Sequence, residues 1–572
     1  MLIACCQFPV SESPVFSAEQ LRSSLTRHWG YESFRPGQAE IAAAIANGGD
    51  ACVIMPTGGG KSLCYQLPAV LQHDRIAIVV SPLIALMQDQ VTQLEELGIP
   101  AAVLNSAQSS EQRQAVRREA VQGKFRLLYL SPESIAQEST LGWLASLRIS
   151  FFVIDEAHCI SEWGHDFRPE YRLLNRLRRK FPGLPIAAFT ASATQPVRRD
   201  IVEQLALREP HKFIASFYRP NLRYLVRESS LDEQESILLE SLRSLTEGSA
   251  IVYASTIRRV EHMVDLLNSN GISAVGYHGK MDAADRRKNQ QLWSADEVRV
   301  AVGTMAFGLG INKPNVRKVI HLALPKSVEQ YYQEAGRAGR DGLPADCVLL
   351  WRKSDAALIE HFLSQIGNEE EKKRGRLRLH EVLEFAEGAS CRQLEICRHF
   401  GENPKWTGCG KCDSCAGRPV WRADAPPAPA PAHRKFLPTP HKPTRTLPTE
   451  NVSFASFIEQ RFPNESLEPS VGAGSVLPRS PKRRRRPQRA VPPLDKFGGS
   501  NSALWQALRH WRLNKAREKK VSAFVILFNS GLDELCEKLP STIEELRKLS
   551  KFGPKKTGLY GQEILQIIAN YR

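Results

Sequence analysis

Short apolar runs alternate with amphipathic stretches along the first 350 or so positions. Ala51–Met55, Ile76–Val80, Phe125–Leu130, Phe151–Ile154 and Ile186–Thr190 carry almost no polar side chains. Runs of this length, apolar toward both faces, predict buried strands of a parallel sheet. A second series follows at Ala250–Tyr253, Ala274–Tyr277, Val298–Gly303, Val319–Leu322 and Cys347–Leu350. The intervals suit helices, so the pattern predicts βαβ crossovers in two tandem α/β domains that divide near residues 205–215. Ligands of open parallel sheets bind at the carboxyl ends of the strands, so the loops after these runs are where chemistry is expected.

The pattern stops at residues 417–500. That stretch holds 16 of the 36 prolines, with PPAPAP at 426–431, and reads as an extended, solvated linker. FASFIEQRF at 454–462 is long enough for one marginal helix or a partner-binding peptide. Helical periodicity returns in 501–572. Leu504, Leu508 and Trp511 fall at i, i+4 and i+7, and Ser541-Thr542-Ile543-Glu544-Glu545 after Pro540 has the form of a capped helix start.

The chain has 572 residues, room for three to four domains at roughly 150 residues each. With 42% hydrophobic and 8% aromatic residues it can build real cores, which excludes a wholly disordered chain. Mean hydropathy is −0.31, and no apolar run approaches the roughly 20 residues of a membrane span. MLIACCQFPV lacks a basic n-region, so no secretory signal is expected. The net charge of +16 points to a polyanionic partner. It is unevenly spread. Residues 1–416 carry 49 Lys+Arg against 48 Asp+Glu, residues 417–500 carry 15 against 6, and residues 501–572 carry 13 against 7. Of the 12 cysteines, Cys5, Cys6, Cys52, Cys64, Cys159, Cys347, Cys397 and Cys536 are dispersed, the usage of a reduced, cytosolic chain.

Three elements carry nucleotide chemistry. After the first run comes Pro56-Thr57-Gly58-Gly59-Gly60-Lys61-Ser62. Gly58, Gly59 and Gly60 let backbone amides approach phosphate oxygens. Lys61 suits the β- and γ-phosphates, and Ser62 suits Mg²⁺. The strict G-x-x-x-x-G-K-[ST] pattern fails at its first position, Met55. Phe151–Ile154 runs into Asp155-Glu156-Ala157-His158. Asp155 is placed to ligate Mg²⁺ and Glu156 to orient and deprotonate water. Each element alone is an ordinary turn or loop end; together they are hard to ascribe to chance. In the third element, Gln330 to Arg340, Arg337 and Arg340 are three apart and expected on one helix face, where they could stabilise developing γ-phosphate charge.

These elements, in this order, resemble superfamily 2 helicases, and the finer motifs resemble the RecQ DNA helicases. FRPGQ at 34–38, MPTGGGKSLCYQLP at 55–68, SPLIALMQDQV at 81–91 and DEAHCISEWGHDFRPEY at 155–171 match that pattern. So do FTASAT at 189–194, AFGLGINKPNVR at 306–317 and YYQEAGRAGRDGLP at 331–344. EWGHDFRPEY is specific, because other branches of the superfamily lack it. The resemblance implies two tandem RecA-like motor domains. It implies an adenine pocket of Tyr31, Arg35 and Gln38, with Gln330, Arg337 and Arg340 completing the site across a cleft. Glu162–Tyr171 resembles the family's aromatic-rich loop. Trp163 and Phe167 can stack on unpaired bases and Arg168 can meet phosphate. His165 is expected to relay DNA occupancy to Glu156, and Ser192 and Thr194 to form a second coupling element. The implied activity is ATP- and Mg²⁺-dependent movement 3′ to 5′ on single-stranded DNA with duplex unwinding, in recombination and repair.

Cys409, Cys412 and Cys415 form C-x2-C-x2-C, and Cys391 lies 18 positions upstream. Four thiolates suit a tetrahedral Zn²⁺ site, as in the family's zinc module. Cys397 is a rival fourth ligand, and an iron–sulfur cluster would accept the same donors. The expected domains are 15–208 and 209–345 (motors), 346–416 (zinc subdomain), 417–500 (linker) and 501–572. The last resembles the family's HRDC domain, a small all-α bundle. Lys519, Lys520, Lys551, Lys555 and Lys556 there are candidate phosphate contacts. Many family members carry a winged helix after the zinc module, and residues 417–500 show no pattern that would build one. That leaves a DNA-stimulated ATPase that binds or anneals DNA without strand separation as an alternative; an RNA helicase is a further one. Lys482-Arg483-Arg484-Arg485-Arg486 reads as a DNA tether or, in a eukaryote, a nuclear localisation signal. The expected partners are single-stranded and branched or duplex DNA and a single-strand-binding protein, for a monomer with no membrane association. The expected place is the bacterial cytoplasm and nucleoid, or the nucleus in a eukaryote.

Overall fold

The computed structural model describes residues 16–105, 108–304, 313–416, 500–518, 526–527, 529–549, 552 and 554–571. The expected linker, its FASFIEQRF and Lys482–Arg486 segments, most of the 306–317 motif, and Lys519, Lys520 and Lys551 lie outside them, as does the side chain of Lys555.

The first sheet contains β1 (Ala51–Ile54), β2 (Ile76–Val80), β3 (Ala101–Leu104), β4 (Leu127–Leu130), β5 (Ile149–Ile154), β6 (Ile186–Thr190) and β7 (His211–Ile214). Their order is β3-β4-β2-β5-β6-β1-β7, and every pairing is parallel. Adjacent residues of one strand enter opposite cores. Phe152 and Ile154 join one cluster while Phe151 and Val153 join the other. This is why these strands read as unbroken apolar runs rather than alternating ones. The order reverses between β2 and β1, and of the strands in that span β1 runs into the phosphate loop and β5 into Asp155-Glu156.

The second sheet contains β8 (Leu222–Glu228), β9 (Ser249–Tyr253), β10 (Ala274–Tyr277), β11 (Val300–Gly303), β12 (Val316–His321) and β13 (Ala345–Trp351). Its order is β10-β11-β9-β12-β13-β8, again parallel throughout. Two expected boundaries move. β7 pairs with β1, so the first domain runs through Ile214 rather than ending at 208. β13 pairs with β12 and β8, so the cysteine-bearing segment begins with the helix Lys353–Ser364 rather than at 346. The pattern missed β3, β7 and β8. Each ends a sheet, where polar residues such as His211 and Arg223 are tolerated on the exposed side.

The helix Lys353–Ser364 pairs with the helix Glu369–Glu387, and the shorter helices Arg392–His399 and Asp413–Ala416 follow. Leu379, Val382, Phe385, Leu394 and Ile396 extend the large core cluster into this segment.

The C-terminal helices are Ser500–Glu518, Asn529–Lys538, Ile543–Arg547 and Pro554–Ala569. Leu504 and Leu508 are buried, as their spacing predicts. Trp505 Nε1 donates to Asp533 Oδ1 at 2.8 Å. Thr542 caps its helix by accepting from Glu545 N at 3.2 Å, and Ser541 Oγ donates to Glu545 Oε2 at 2.9 Å. Among the described residues, no helix is long and apolar enough to cross a membrane.

Candidate nucleotide and nucleic-acid site

The phosphate loop leaves β1 and turns into the helix Lys61–Leu71. Gly60 has φ +83°, and a Cβ on Gly59 would sit 2.7 Å from Met55 Cγ. Both positions therefore demand glycine. Met55 itself explains the broken motif. Its side chain is buried beneath the loop, and its amide extends the sheet by donating to Thr190 O at 3.0 Å. Lys61 Nζ donates to Met55 O at 3.0 Å, and burial pulls its pKa down against the nearby Glu156 and Asp155 carboxylates.

Asp155 and Glu156 follow β5, which β6 separates from β1 in the sheet. Burial and the neighbouring Glu156 charge raise the Asp155 pKa. Burial alone would raise Glu156, but His158 outweighs it and holds that carboxyl low. Glu156 has φ +47°, a left-handed backbone that glycine adopts freely and glutamate does not. Its Oε2 is buried, 3.3 Å from His158 Nδ1. A strained carboxylate between His158 and the Lys61 charge is chemically suited to hold and deprotonate water beside a cation–phosphate group. Asp155 and Ser62 supply the hard oxygen donors Mg²⁺ prefers, so the residues present fit that ion.

Of the expected adenine residues, Arg35 and Gln38 lie against the loop. Tyr31 is 41% exposed. Arg35 Nη1 donates to Gly58 O. Gln38 is buried, and its Nε2 donates to the carbonyls of Gly59 and Gly60, each at 3.2 Å. Its Oε1 accepts from Arg35 N at 2.9 Å. The Gln38 amide thus braces the loop.

Across the cleft, the helix Val328–Ala335 ends before Arg337. Arg337 and Arg340 therefore lie in the turn beyond it rather than on a helix face. Gly336, the C-cap, begins that turn: a Cβ there would meet Thr57 Oγ1 at 2.2 Å. The turn touches the phosphate loop directly. Thr57 Oγ1 donates to Gly336 O at 3.0 Å, and Arg340 Cγ lies 3.3 Å from where a Gly58 Cβ would be. Burial, with Arg337 and Arg219 nearby, pushes the Arg340 pKa down to about 9. Gln330 is turned into its own domain, accepting from Lys326 N and donating to Glu334.

A polar chain leads from Glu156 to the aromatic-rich loop. His158 Nδ1 lies 3.3 Å from Glu156 Oε2 and hydrogen-bonds Thr190 Oγ1 at 2.9 Å. The His158 ring stacks on His165, centroids 4.8 Å apart and planes 8° from parallel. Burial and His158 push the His165 pKa down to about 4, while a hydrogen bond with Gln333 opposes the shift. Gln333 Nε2 also donates to Ser192 Oγ at 2.7 Å. Gln333 belongs to the second domain and escaped the sequence reading, although it lies inside a quoted motif. Thr194 is the N-cap of the helix Gln195–Gln204.

Within that loop Trp163 and Phe167 are 53% and 36% exposed. Arg374, from the helix Glu369–Glu387, lies 5.8 Å from the Trp163 ring and pairs with Glu162 at 3.3 Å. Arg168 folds back onto Asp166 at 3.1 Å.

The sulfurs of Cys391, Cys409, Cys412 and Cys415 lie within 4.8 Å of one another. Tetrahedral thiolates about 2.3 Å from Zn²⁺ are separated by just under 4 Å, so the donor set fits zinc. Cys391 sits at the N-cap of the helix Arg392–His399, braced by the Arg392–Asp413 pair at 2.9 Å. Cys397 is not in the cluster. Burial, with Glu402 beside it, pushes its thiol up to about 12.

The sequence is similar to known proteins. The chain matches the DEAD/DEAH box helicase family over residues 35–200 and the helicase conserved C-terminal domain over 233–342. It matches the RecQ zinc-binding family over 353–416 and the HRDC domain over 501–568. It is 34% identical to the ATP-dependent DNA helicase RecQ of Bacillus subtilis over 96% of this chain and 98% of that one. It is 45% identical to the ATP-dependent DNA helicase RecQ of Haemophilus influenzae, covering 69% of this chain and 64% of the relative. The Pasteurella multocida protein of the same name is 44% identical, with 68% and 61% covered. The chain thus spans less than two thirds of the length of the Haemophilus and Pasteurella relatives.

Proposed function

The chain belongs to the RecQ family of DNA helicases, and on that premise we propose that it couples Mg-ATP hydrolysis in the cleft to 3′-to-5′ movement on single-stranded DNA and to duplex unwinding, in recombination and repair. The observation that carries this reading is the run of contacts from Glu156 through His158 and His165 to the exposed Trp163 loop. A base stacked on Trp163 would shift His165. His165 contacts the residue that holds the Glu156 carboxylate low, and Gln333 ties the same histidine to the second domain. DNA occupancy and water activation thereby share one set of side chains.

In this mechanism Lys61 leaves the Met55 carbonyl for the phosphates. Ser62 and Asp155 hold Mg²⁺, which when bound neutralises phosphate charge. Glu156 accepts the water proton. Arg337 and Arg340 meet developing charge from the opposite wall. The tandem domains close around the nucleotide and reopen after hydrolysis, moving the strand.

The test is strand displacement on a 3′-tailed duplex. ATP-dependent displacement that Lys61→Ala abolishes supports the reading. Strong DNA-stimulated hydrolysis without displacement would replace it with an ATPase that binds or remodels DNA. Stimulation by RNA in preference to DNA would replace it with an RNA helicase.

A further inference from the structure

Between β7 and β8 the chain passes from the first domain to the second. Arg219 lies in this passage, outside every motif noted in the sequence, and is 9% exposed. Its guanidinium is divided between the two walls of the nucleotide cleft. Nη1 donates to Thr57 O in the phosphate loop at 2.7 Å. Nη2 donates to Ala338 O at 3.3 Å, between Arg337 and Arg340. A planar fork can hold two carbonyls at a fixed separation; a lysine ammonium cannot.

The backbone of Arg219 is itself held. Gln393, 2% exposed on the helix Arg392–His399, accepts from Arg219 N at 3.0 Å. Its Nε2 donates to Arg219 O at 2.9 Å and to Leu222 O at 3.0 Å. The whole side-chain amide of Gln393 is thus spent on the interdomain passage, two positions from Cys391. Lys411, between Cys409 and Cys412, donates to Pro220 O in the same passage.

We propose that Arg219 is a positioning residue for ATP turnover: it sets the Gly336–Arg340 turn against the phosphate loop, and Gln393 sets Arg219, so that the cysteine-bearing segment is mechanically part of the ATP site. Arg219 touches carbonyls on both walls rather than any group that binds phosphate, so its loss misplaces Arg337 and Arg340 without removing a nucleotide contact. An interaction that matters chiefly in the transition state lowers kcat and leaves KM nearly alone.

This inference rests on the reading that the cleft hydrolyses ATP. The experiment is steady-state, single-strand-stimulated ATPase of the full chain, as wild type, Arg219→Ala, Arg219→Lys, Gln393→Ala and the Arg219→Ala/Gln393→Ala double variant. Melting curves accompany each protein. Both Arg219 variants are expected to lose at least tenfold in kcat with KM for ATP within threefold of wild type. Gln393→Ala is expected to lose less, and the double variant no more than Arg219→Ala alone, because the two act in series. A folded Arg219→Ala with kcat within threefold of wild type overturns the proposal. So does a loss carried wholly by KM, full rescue by lysine, or additive losses in the double variant. If Arg219→Ala does not fold, Gln393→Ala decides: it leaves the guanidinium in place, and an unchanged kcat there refutes the link. A wild type inert toward ATP would overturn the functional reading and this inference with it, whereas an active wild type with unaffected variants overturns this inference alone.

Discussion

Trp163→Ala isolates the aromatic-rich loop from everything that holds it. The loop backbone does not depend on the indole. Trp163 N donates to Ser161 Oγ at 3.2 Å, Ser161 Oγ donates to Asp200 at 2.6 Å, and Arg378 donates to Gly164 O at 3.4 Å. The Arg374–Glu162 pair also survives the substitution. Just over half of the Trp163 surface is already exposed, so the folded state loses mainly the Arg374 contact, about 0.5–1 kcal/mol at such a site. In a domain of this size that shifts the melting temperature by about 2–4 °C at most. A stacked base contributes about 1–3 kcal/mol, which at 1.4 kcal/mol per tenfold weakens single-stranded DNA binding by about 5- to 150-fold. Fluorescence polarisation with a labelled oligothymidylate at fixed ionic strength measures it. The slope of log Kd against log salt should stay unchanged, since no cation is removed. A folded variant whose Kd lies within twofold of wild type would refute the stacking role.

Three further outcomes are expected. Cys412→Ala removes the most buried of the four clustered thiols and should abolish stoichiometric zinc by elemental analysis and lower the melting temperature; full zinc content in the variant would exclude Cys412 as a ligand. Asp50→Ala strands the amides of Ile186 and Arg208, bound at 2.9 and 2.7 Å, and leaves Arg178 without its buried partner; denaturant unfolding should report a loss of about 3–5 kcal/mol, and one below about 1 kcal/mol would contradict that network. His399 would be lowered by burial, but Glu329 at 2.8 Å and Glu381 at 4.0 Å raise its pKa above 6.5, while Glu329, which burial alone would raise, is held down to about 2 by His399. The raised histidine stabilises fully below about pH 6.5 and loses that share as pH rises through its folded value, whereas the Glu329 share is present above about pH 4.5 and fades only in strong acid. Melting temperature should therefore fall above pH 6.5 in the wild type, and His399→Gln should flatten that fall; a parallel decline in both proteins would rule the pair out as its source.

The sequence by itself determined the central strands of both sheets. Ile76–Val80 and Ile186–Thr190 lie in the structure where the apolar runs place them, because strands buried on both faces must be apolar throughout. Gly58 to Ser62 and Asp155-Glu156 stand out in the sequence as candidates because phosphate and cation chemistry admits few residue types at fixed spacing. The four-cysteine set was legible by the same logic, though excluding Cys397 needed its position. Tertiary structure alone decided how distant segments meet. β3, β7 and β8 were hidden because strands that end a sheet relax the apolar rule. Gln38 braces the phosphate loop, Arg337 and Arg340 sit in a turn rather than on a helix, and Gln333 reaches across to Ser192. Arg219 and Gln393 are 174 positions apart and carry no local signature, since a side chain that holds backbone carbonyls leaves no periodicity to read. Local pattern fixes which segments form strands and turns; pairings across hundreds of residues are set by packing, and only the folded chain displays them.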